Sequence, residues 1–349
     1  MKAAVLTDYR VINWCQVDQP QVADGDVLVK VDYASICGSD QHIFKGEFHP
    51  RTRLPLVMGH EFSGHVAEIG NSVRDFSVGD HVTVDPIYWC RQCAACKIAH
   101  YPACTNLKLV GIDSNGGFAE YVAVKEDMVF ALGDDIPSAH GALVEVLSIG
   151  FHACNRAELK ENDTLVILGA GKIGQCILQA AKTKTKNKVF IVDIFEERLA
   201  IAKSACGDVI CINAMDNDPI EAIQELTSGR GVDVAIEAVG HAIPIGQRPS
   251  PVIQAIRCIR GGGTVCVLGL SDEPVELVMK ELIWKEARLV ASRVTNGEFS
   301  ETITHLKNGD INPEVLISCQ IQASQIQTAF ELLENDPANY LKILLKVRQ

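Results

Sequence analysis

Four thiols fall within fifteen positions of this chain. The segment "CRQCAACKIAHYPAC" (90–104) sets Cys90, Cys93 and Cys96 three residues apart and Cys104 eight further on. Short, repeated spacing of this kind suits a loop wrapped round one tetrahedral ion, and four thiolates suit Zn²⁺ at about 2.3 Å each. A disulfide framework is the poorer reading. The opening stretch "MKAAVLTDYRVINW" has no long apolar run to serve as an export signal, and the cytosol keeps thiols reduced. Nothing in the segment offers a base or a nucleophile. A closed four-thiolate site leaves no open coordination position, so its expected role is structural.

A second set of residues points to nucleotide chemistry. "GAGKIG" (169–174) spaces Gly169, Gly171 and Gly174 as GxGxxG. Alone that is weak, but it follows the apolar run "TLVIL" and opens the helical stretch "QCILQAAKTK". Asp193 ends the next apolar run, "KVFIVD". Gly169 would make the tight turn, Gly171 would let backbone approach a pyrophosphate, and Gly174 would let helix pack on strand. The pyrophosphate would rest on the N–H groups of the helix start. Asp193 would take the adenosine ribose hydroxyls and repel a 2′-phosphate, which favours NAD. Arg198 reads equally as a residue over the adenine and as a surface helix residue. A third set, Cys37 in "SICGSDQH" and His60 and Glu61 in "VMGHEFSGH", offers sulfur, nitrogen and oxygen, which Zn²⁺ accepts.

The elements that must position these residues divide the chain. From about 164 to 292, short apolar runs alternate with helical stretches: strands near 164–168, 188–193, 208–212, 232–240, 263–269 and 287–292. That pattern predicts βαβ units and a six-stranded, doubly wound parallel sheet. Residues 1–150 are rich in short strands and Gly turns and predict an antiparallel, β-rich domain. Residues 293–349 hold helical segments and a last strand, "KILLKV", expected to pack back on the first domain. The stretch 241–251, with three prolines, predicts a loop.

Composition excludes several classes. The chain has 349 residues, 47% of them hydrophobic, enough for a full core. Lys plus Arg is 32 against 44 for Asp plus Glu, a formal net charge of −12. Such a surface argues against nucleic acid or an anionic membrane as main partner. No run reaches the length that crosses a bilayer, and the expected address is the cytoplasm.

Taken in order, "ICGSD", "GHEFSG", "VGD", the four-Cys loop, "GGFAEY" and "GAGKIG" resemble the zinc-dependent medium-chain dehydrogenase/reductase family over essentially the whole length. The nearest branch is the polyol dehydrogenases, such as sorbitol, threonine and butanediol dehydrogenases. The resemblance implies a GroES-like catalytic domain (1–150, completed by 293–349), a Rossmann domain (151–292), and an active site in the cleft between them. It implies two Zn²⁺ per chain: a structural ion at the four Cys, and a catalytic ion at Cys37, His60 and Glu61. Glu145, in "LVEVLSIGFHA", matches the Glu of the branch's "EPLS" motif and is implied as a catalytic residue and further zinc ligand. Val146 departs from that motif's proline. The expected reaction is hydride transfer between a secondary alcohol or polyol and NAD. Ser39 would hold the substrate hydroxyl and His42 would pass its proton to solvent. Ile173, Leu268 and Arg293 join the cofactor-binding set, Arg293 reading also as a strand-end surface charge. Lys172, where the family usually has Pro, reads as a phosphate contact or a solvated amine. Phe118 reads as pocket wall or core. The expected assembly is a homo-oligomer, dimer or tetramer. The rival readings are a primary-alcohol or aldehyde-adduct dehydrogenase and a non-catalytic protein of the same fold.

Overall fold

The computed structural model describes residues 1–240 and 248–348. The chain forms two compact units. One comprises Met1–Glu145, Phe299–Gly309 and Leu316–Gln349; the other comprises Val146–Glu298 and Asp310–Val315. The crossings fall at Glu145/Val146 and Glu298/Phe299, a few residues from 150 and 292, and the segment 310–315 belongs with the second unit.

The first unit is built on a seven-stranded sheet. Its path runs Val129–Ala131, His81–Val84, Glu61–Ile69, Asp26–Ser35, Lys342–Lys346, Ile317–Gln322, and Tyr121–Lys125 also pairs with Asp26–Ser35. The central strand, "DVLVKVDYAS", buries Val27, Leu28, Val29, Val31 and Ala34. Successive side chains point to opposite faces, so burial of both parities means that both faces are covered. The pairings are antiparallel except that of Ile317–Gln322 with Lys342–Lys346. Parallel neighbours need a crossover, and here the helix Ile326–Asn335 supplies it, burying Ile326, Ala329, Phe330 and Leu333. Register then serves chemistry. Ser35 is opposite Glu61 on one side and Leu344 on the other. The strands carrying Glu61 and Lys342 therefore flank the end of the strand that leads to Cys37.

The second unit holds six parallel strands in the spatial order Ile210–Asn213, Val189–Asp193, Leu165–Leu168, Val232–Glu237, Ile259–Val267, Arg288–Ala291. Numbered along the unit this is 3-2-1-4-5-6, the doubly wound dinucleotide order. "LVIL" and "VFIVD" are buried throughout, as strands covered on both faces must be. Local signals start the helices. Asp218 accepts hydrogen bonds from the N–H groups of Ile220 and Glu221, with Pro219 in the first turn of the helix Pro219–Leu226. The stretch 241–251, expected as a loop, lies outside the described residues over 241–247, and its last residue opens the helix Pro251–Cys258. Among the described residues no helix is long and apolar enough to cross a membrane.

Candidate metal centre and cofactor loop

Where the central strand of the first unit ends, Cys37 caps the helix Gly38–Lys45. The Asp40 carboxylate, fully buried, accepts a 2.8 Å hydrogen bond from the Cys37 N–H and so fixes the turn. His60 and Glu61 arrive from the other side. Gly59 turns the chain at φ +96°, and a Cβ there would lie 2.3 Å from the Phe118 ring. Phe118 itself is fully buried in the core, edge-on to Phe330; it supports this turn from beneath, so it is core. Donor atoms of Cys37, His60 and Glu61 all lie within 4.8 Å of one another. Ser39 Oγ is 3.3 Å from His60 Nε2.

The electrostatics of this cluster are unusual. Both Glu61 oxygens lie 2.5 Å from the Nζ of Lys342, and both side chains have no exposed surface. Burial pulls the Lys342 ammonium's pKa down, but Glu61 and Cys37 outweigh it and the net is upward. Burial and Glu61 push the Cys37 thiol up; Lys342 and His60 win and lower it. Burial alone would lower the His60 imidazole, yet Asp40 and Cys37 raise it well above its ordinary value. Glu145 stands in the first turn of the helix Val144–Arg156 and is buried. Burial, with repulsion from Glu61 and Cys37, pushes its carboxyl well above the usual range. Glu145 is therefore in the field of the cluster, though outside the 4.8 Å set. Its Oε2 is buried without a hydrogen-bond partner. An orphaned buried acceptor beside a sulfur, nitrogen and oxygen donor set fits a bound cation.

Sγ atoms of Cys90, Cys93, Cys96 and Cys104 also lie within 4.8 Å of one another, and all thirteen cysteines are free thiols. The loop contains local structure of its own. Cys93 caps the short helix Ala94–Lys97, a 3₁₀ turn spans Tyr101–Ala103, and Trp89 stacks on Tyr101 at 4.5 Å. The amides of Cys96 and Thr105 hold the Cys93 thiol down at about 5, whereas burial and its neighbour Cys93 push Cys96 up to about 12. Such a nest ionises fully only around a cation, and four thiols with this spacing fit zinc.

The second unit carries the glycine loop between Leu168 and the helix Lys172–Lys184. Gly169 sits at φ +101°, and a Cβ on Gly174 would lie 1.8 Å from the Gly169 carbonyl oxygen. Among the described residues a Cβ on Gly171 would meet only Arg198 Nη1, at 3.8 Å, which leaves room there for a close ligand. Ile173 lies in the first turn of that helix, beside Lys172. The Asp193 carboxylate accepts from the N–H groups of Ala170 (2.6 Å), Ile194 (2.8 Å) and Phe195 (3.0 Å). Arg198 Nη1 is 3.7 Å from it, and the guanidinium lies 4.7 Å over the Phe195 ring. Leu268 follows the strand Ile259–Val267 and donates its N–H to Glu237. An open loop backbone at a helix start, with a carboxylate at the end of the neighbouring strand, fits a dinucleotide. His42 lies on the first unit's helix with its Nδ1 against the Glu47 carboxylate. Arg293 is an exposed residue of the second unit. Lys342, Asp40 and Glu47 were not among the residues expected from sequence. The one available signal for Lys342 was a lysine inside the apolar run "LKILLKV".

Residues 23–134 match the alcohol dehydrogenase GroES-like domain and residues 173–308 match the zinc-binding dehydrogenase domain. The chain belongs to the zinc-dependent medium-chain dehydrogenase/reductase family. It is 30% identical to the sorbitol dehydrogenase of Bacillus subtilis, across 99% of this chain and 97% of that one. An Escherichia coli CFT073 alcohol dehydrogenase (rspB) in complex with NADH superposes with a TM-score of 0.91 at 30% identity, covering 99% of both chains. A zinc-binding dehydrogenase of Sinorhizobium meliloti 1021 bound to NADP gives 0.90 at 30% identity, again over 99% of both.

Proposed function

We propose that this protein transfers hydride between a secondary alcohol or polyol and NAD⁺, with the catalytic zinc held by Cys37, His60 and Glu61. The juxtaposition of those three donors within 4.8 Å carries the reading. Bound there, Zn²⁺ would supply Lewis acidity toward the alcohol oxygen, with NAD⁺ as the hydride acceptor. Glu145 serves as an exchangeable further ligand. Asp40 fixes both the Cys37 turn and the His60 ring, whose Nδ1 lies 3.4 Å from its carboxylate. Lys342 pairs with both oxygens of Glu61 and fixes their orientation. Ser39 hydrogen-bonds the substrate hydroxyl, and His42, more than half exposed, receives the proton and returns it to solvent. The polyol assignment is supported by Glu145 at a position where simple alcohol dehydrogenases use a second Cys, and by the sorbitol dehydrogenase relative.

Gly169, Gly171, Ile173, Gly174, Leu268 and Arg293 would hold the cofactor, with Asp193 preferring NAD⁺ to NADP⁺ by like-charge repulsion of a 2′-phosphate. Each tenfold of preference needs only about 1.4 kcal/mol. The address that goes with this reading is the cytoplasm, in keeping with thirteen free thiols. A homo-oligomer is favoured by the strand Arg288–Ala291, the outermost of its sheet among the described residues, and by the exposed Leu289, Ile283 and Trp284. The test is a screen of sugar alcohols, diols, amino alcohols and simple primary alcohols with NAD⁺ and NADP⁺, before and after chelation. Turnover confined to primary alcohols, or indifferent to chelation, would refute the reading. Equal use of both cofactors, or an unchanged ratio in Asp193→Ala, would refute the role of Asp193.

A further inference from the structure

We infer that Glu47 is a positioning residue that sets the tautomer and orientation of His42 for proton transfer. The inference rests on the assignment of His42 as proton acceptor and adds a residue to it. The geometry is local and built. Gly46 ends the helix Gly38–Lys45 in the left-handed region, φ +87°, and its N–H faces the carbonyls of His42 and Ile43. The next residue, Glu47, donates its N–H to the His42 carbonyl at 2.9 Å. Its side chain then turns back to the same residue, and Oε2 meets His42 Nδ1. A left-handed cap of this type satisfies the last carbonyls of a helix; here it also delivers a carboxylate to an imidazole. The space is shaped for glycine, since a Cβ on Gly46 would come within 3.0 Å of the Tyr9 ring. Phe48 completes the seat, its ring nearly parallel to the imidazole (6.1 Å between centroids, 6° between planes).

A carboxylate can only accept a hydrogen bond, so His42 Nδ1 carries the hydrogen. In the neutral ring the lone pair is then on Nε2, and that nitrogen is the base. When Nε2 takes the proton released as alcohol becomes carbonyl, the ring becomes an imidazolium beside a fixed carboxylate, and the proton then leaves to water. The same division of labour, in which an acid orients a histidine and steadies its charged form, operates in hydrolytic triads. Neighbouring charges are committed elsewhere. Lys45, on the same helix, pairs with Glu334 at 3.4 Å, His49 Nδ1 meets the Tyr9 hydroxyl at 3.2 Å, and Asp40 is buried beside His60. Glu47 is thus the group that faces His42.

The experiment uses the full-length, zinc-loaded protein as wild type, Glu47→Ala, Glu47→Asp, His42→Ala and the double alanine variant. Nitrogen-15 NMR of the histidine rings reads the tautomer of His42, and pH profiles of kcat/KM with NAD⁺ and the best alcohol read the reaction. The expected wild-type signal is a hydrogen on Nδ1, lost in Glu47→Ala. That variant should lose about tenfold in kcat/KM near neutral pH, a modest share of what a positioned general base provides, with alcohol KM unchanged. Glu47→Asp should recover part of it, and the double variant should be no slower than His42→Ala. An unchanged tautomer in Glu47→Ala, or a changed tautomer with an unchanged rate, overturns the inference. If His42→Ala itself leaves the rate intact, the assignment of His42 as acceptor fails, and the positioning role of Glu47 falls with it. If no alcohol is turned over, the proposed reaction fails, and the tautomer still decides whether Glu47 orients the ring.

Discussion

Replacing Lys342 with Met removes a charge from a fully enclosed ion pair while keeping an apolar stem of similar length. Lys342 and Glu61 are both without exposed surface, and the ammonium touches both carboxylate oxygens at 2.5 Å. After the change Glu61 remains, buried and unpaired, near the Cys37 sulfur and the Glu145 carboxyl. Breaking one partner of a buried pair costs about 3–5 kcal/mol, whereas replacing both is often close to neutral. A sulfur-containing side chain fills most of the lysine's volume, so the cavity contribution should stay below about 1.5 kcal/mol. With a urea slope at the upper end of the usual range, the loss moves the unfolding midpoint down by about 1–2 M. The assay is urea unfolding of the metal-stripped protein. Trp14 and Trp89 fluorescence reports on the first unit, which holds every residue of the pair and its surroundings. Lys342→Met combined with Glu61→Gln should recover most of the midpoint, because no buried charge is then left over. Adding Zn²⁺ should narrow the deficit of the single variant, since a cation beside Glu61 replaces the lost ammonium. A midpoint shift under about 0.3 M, or a double variant as unstable as the single, would refute the reasoning. A deficit of the same size with and without Zn²⁺ would remove Glu61 from the metal site.

Three further outcomes are expected. Cys96→Ser should lower bound zinc from two ions per chain to one and lower thermal stability more than it alters turnover of the surviving enzyme, read by elemental analysis and calorimetry; zinc content unchanged at two would contradict the four-thiol site. Glu145→Ala should cut kcat by about a hundredfold, as loss of a single catalytic group does, with zinc retained; full turnover would show that Glu145 has no part in the chemistry. Asp233 is a pH probe of the second unit. Burial disfavours its charge, but the hydroxyl and amide of Thr164, with Arg260, hold it down from 3.8 to about 2. A depressed acid stabilises the fold above its unfolded value and loses that contribution as pH falls through the folded one, here about 2 kcal/mol present at pH 7 and fading below about pH 4. Asp233→Asn should be less stable by roughly that amount at pH 7, and urea midpoints of the two proteins should converge as the pH drops; a gap that is constant with pH would rule out the linkage.

Some of this protein is local enough to be legible in its letters. The four-thiol segment needs only a short loop to close on itself, so Cys90, Cys93, Cys96 and Cys104 converge by spacing alone. The parallel sheet announces itself through buried runs such as "LVIL" and "VFIVD", because strands covered on both faces must be apolar throughout. Gly174 likewise answers to a contact within one turn, where a side chain would strike the loop's own backbone, and Gly169 to its own positive φ. Other features depended on register and topology. Lys342 meets Glu61 across 281 residues because the last strand and the strand Glu61–Ile69 flank Ser35. No pattern near either residue specifies that partnership. Asp193, legible as the acid at a strand end, turns out to hold three backbone amides, including that of Ala170 in the glycine loop. That role depends on how two parallel strands align. The crossing at Glu145 was set by packing as well, since the division between units follows which contacts each residue makes. Periodicity and turn chemistry act over a few residues and can be read along the chain; a buried charge finds its partner only when distant strands take their places, and tertiary structure alone decides that.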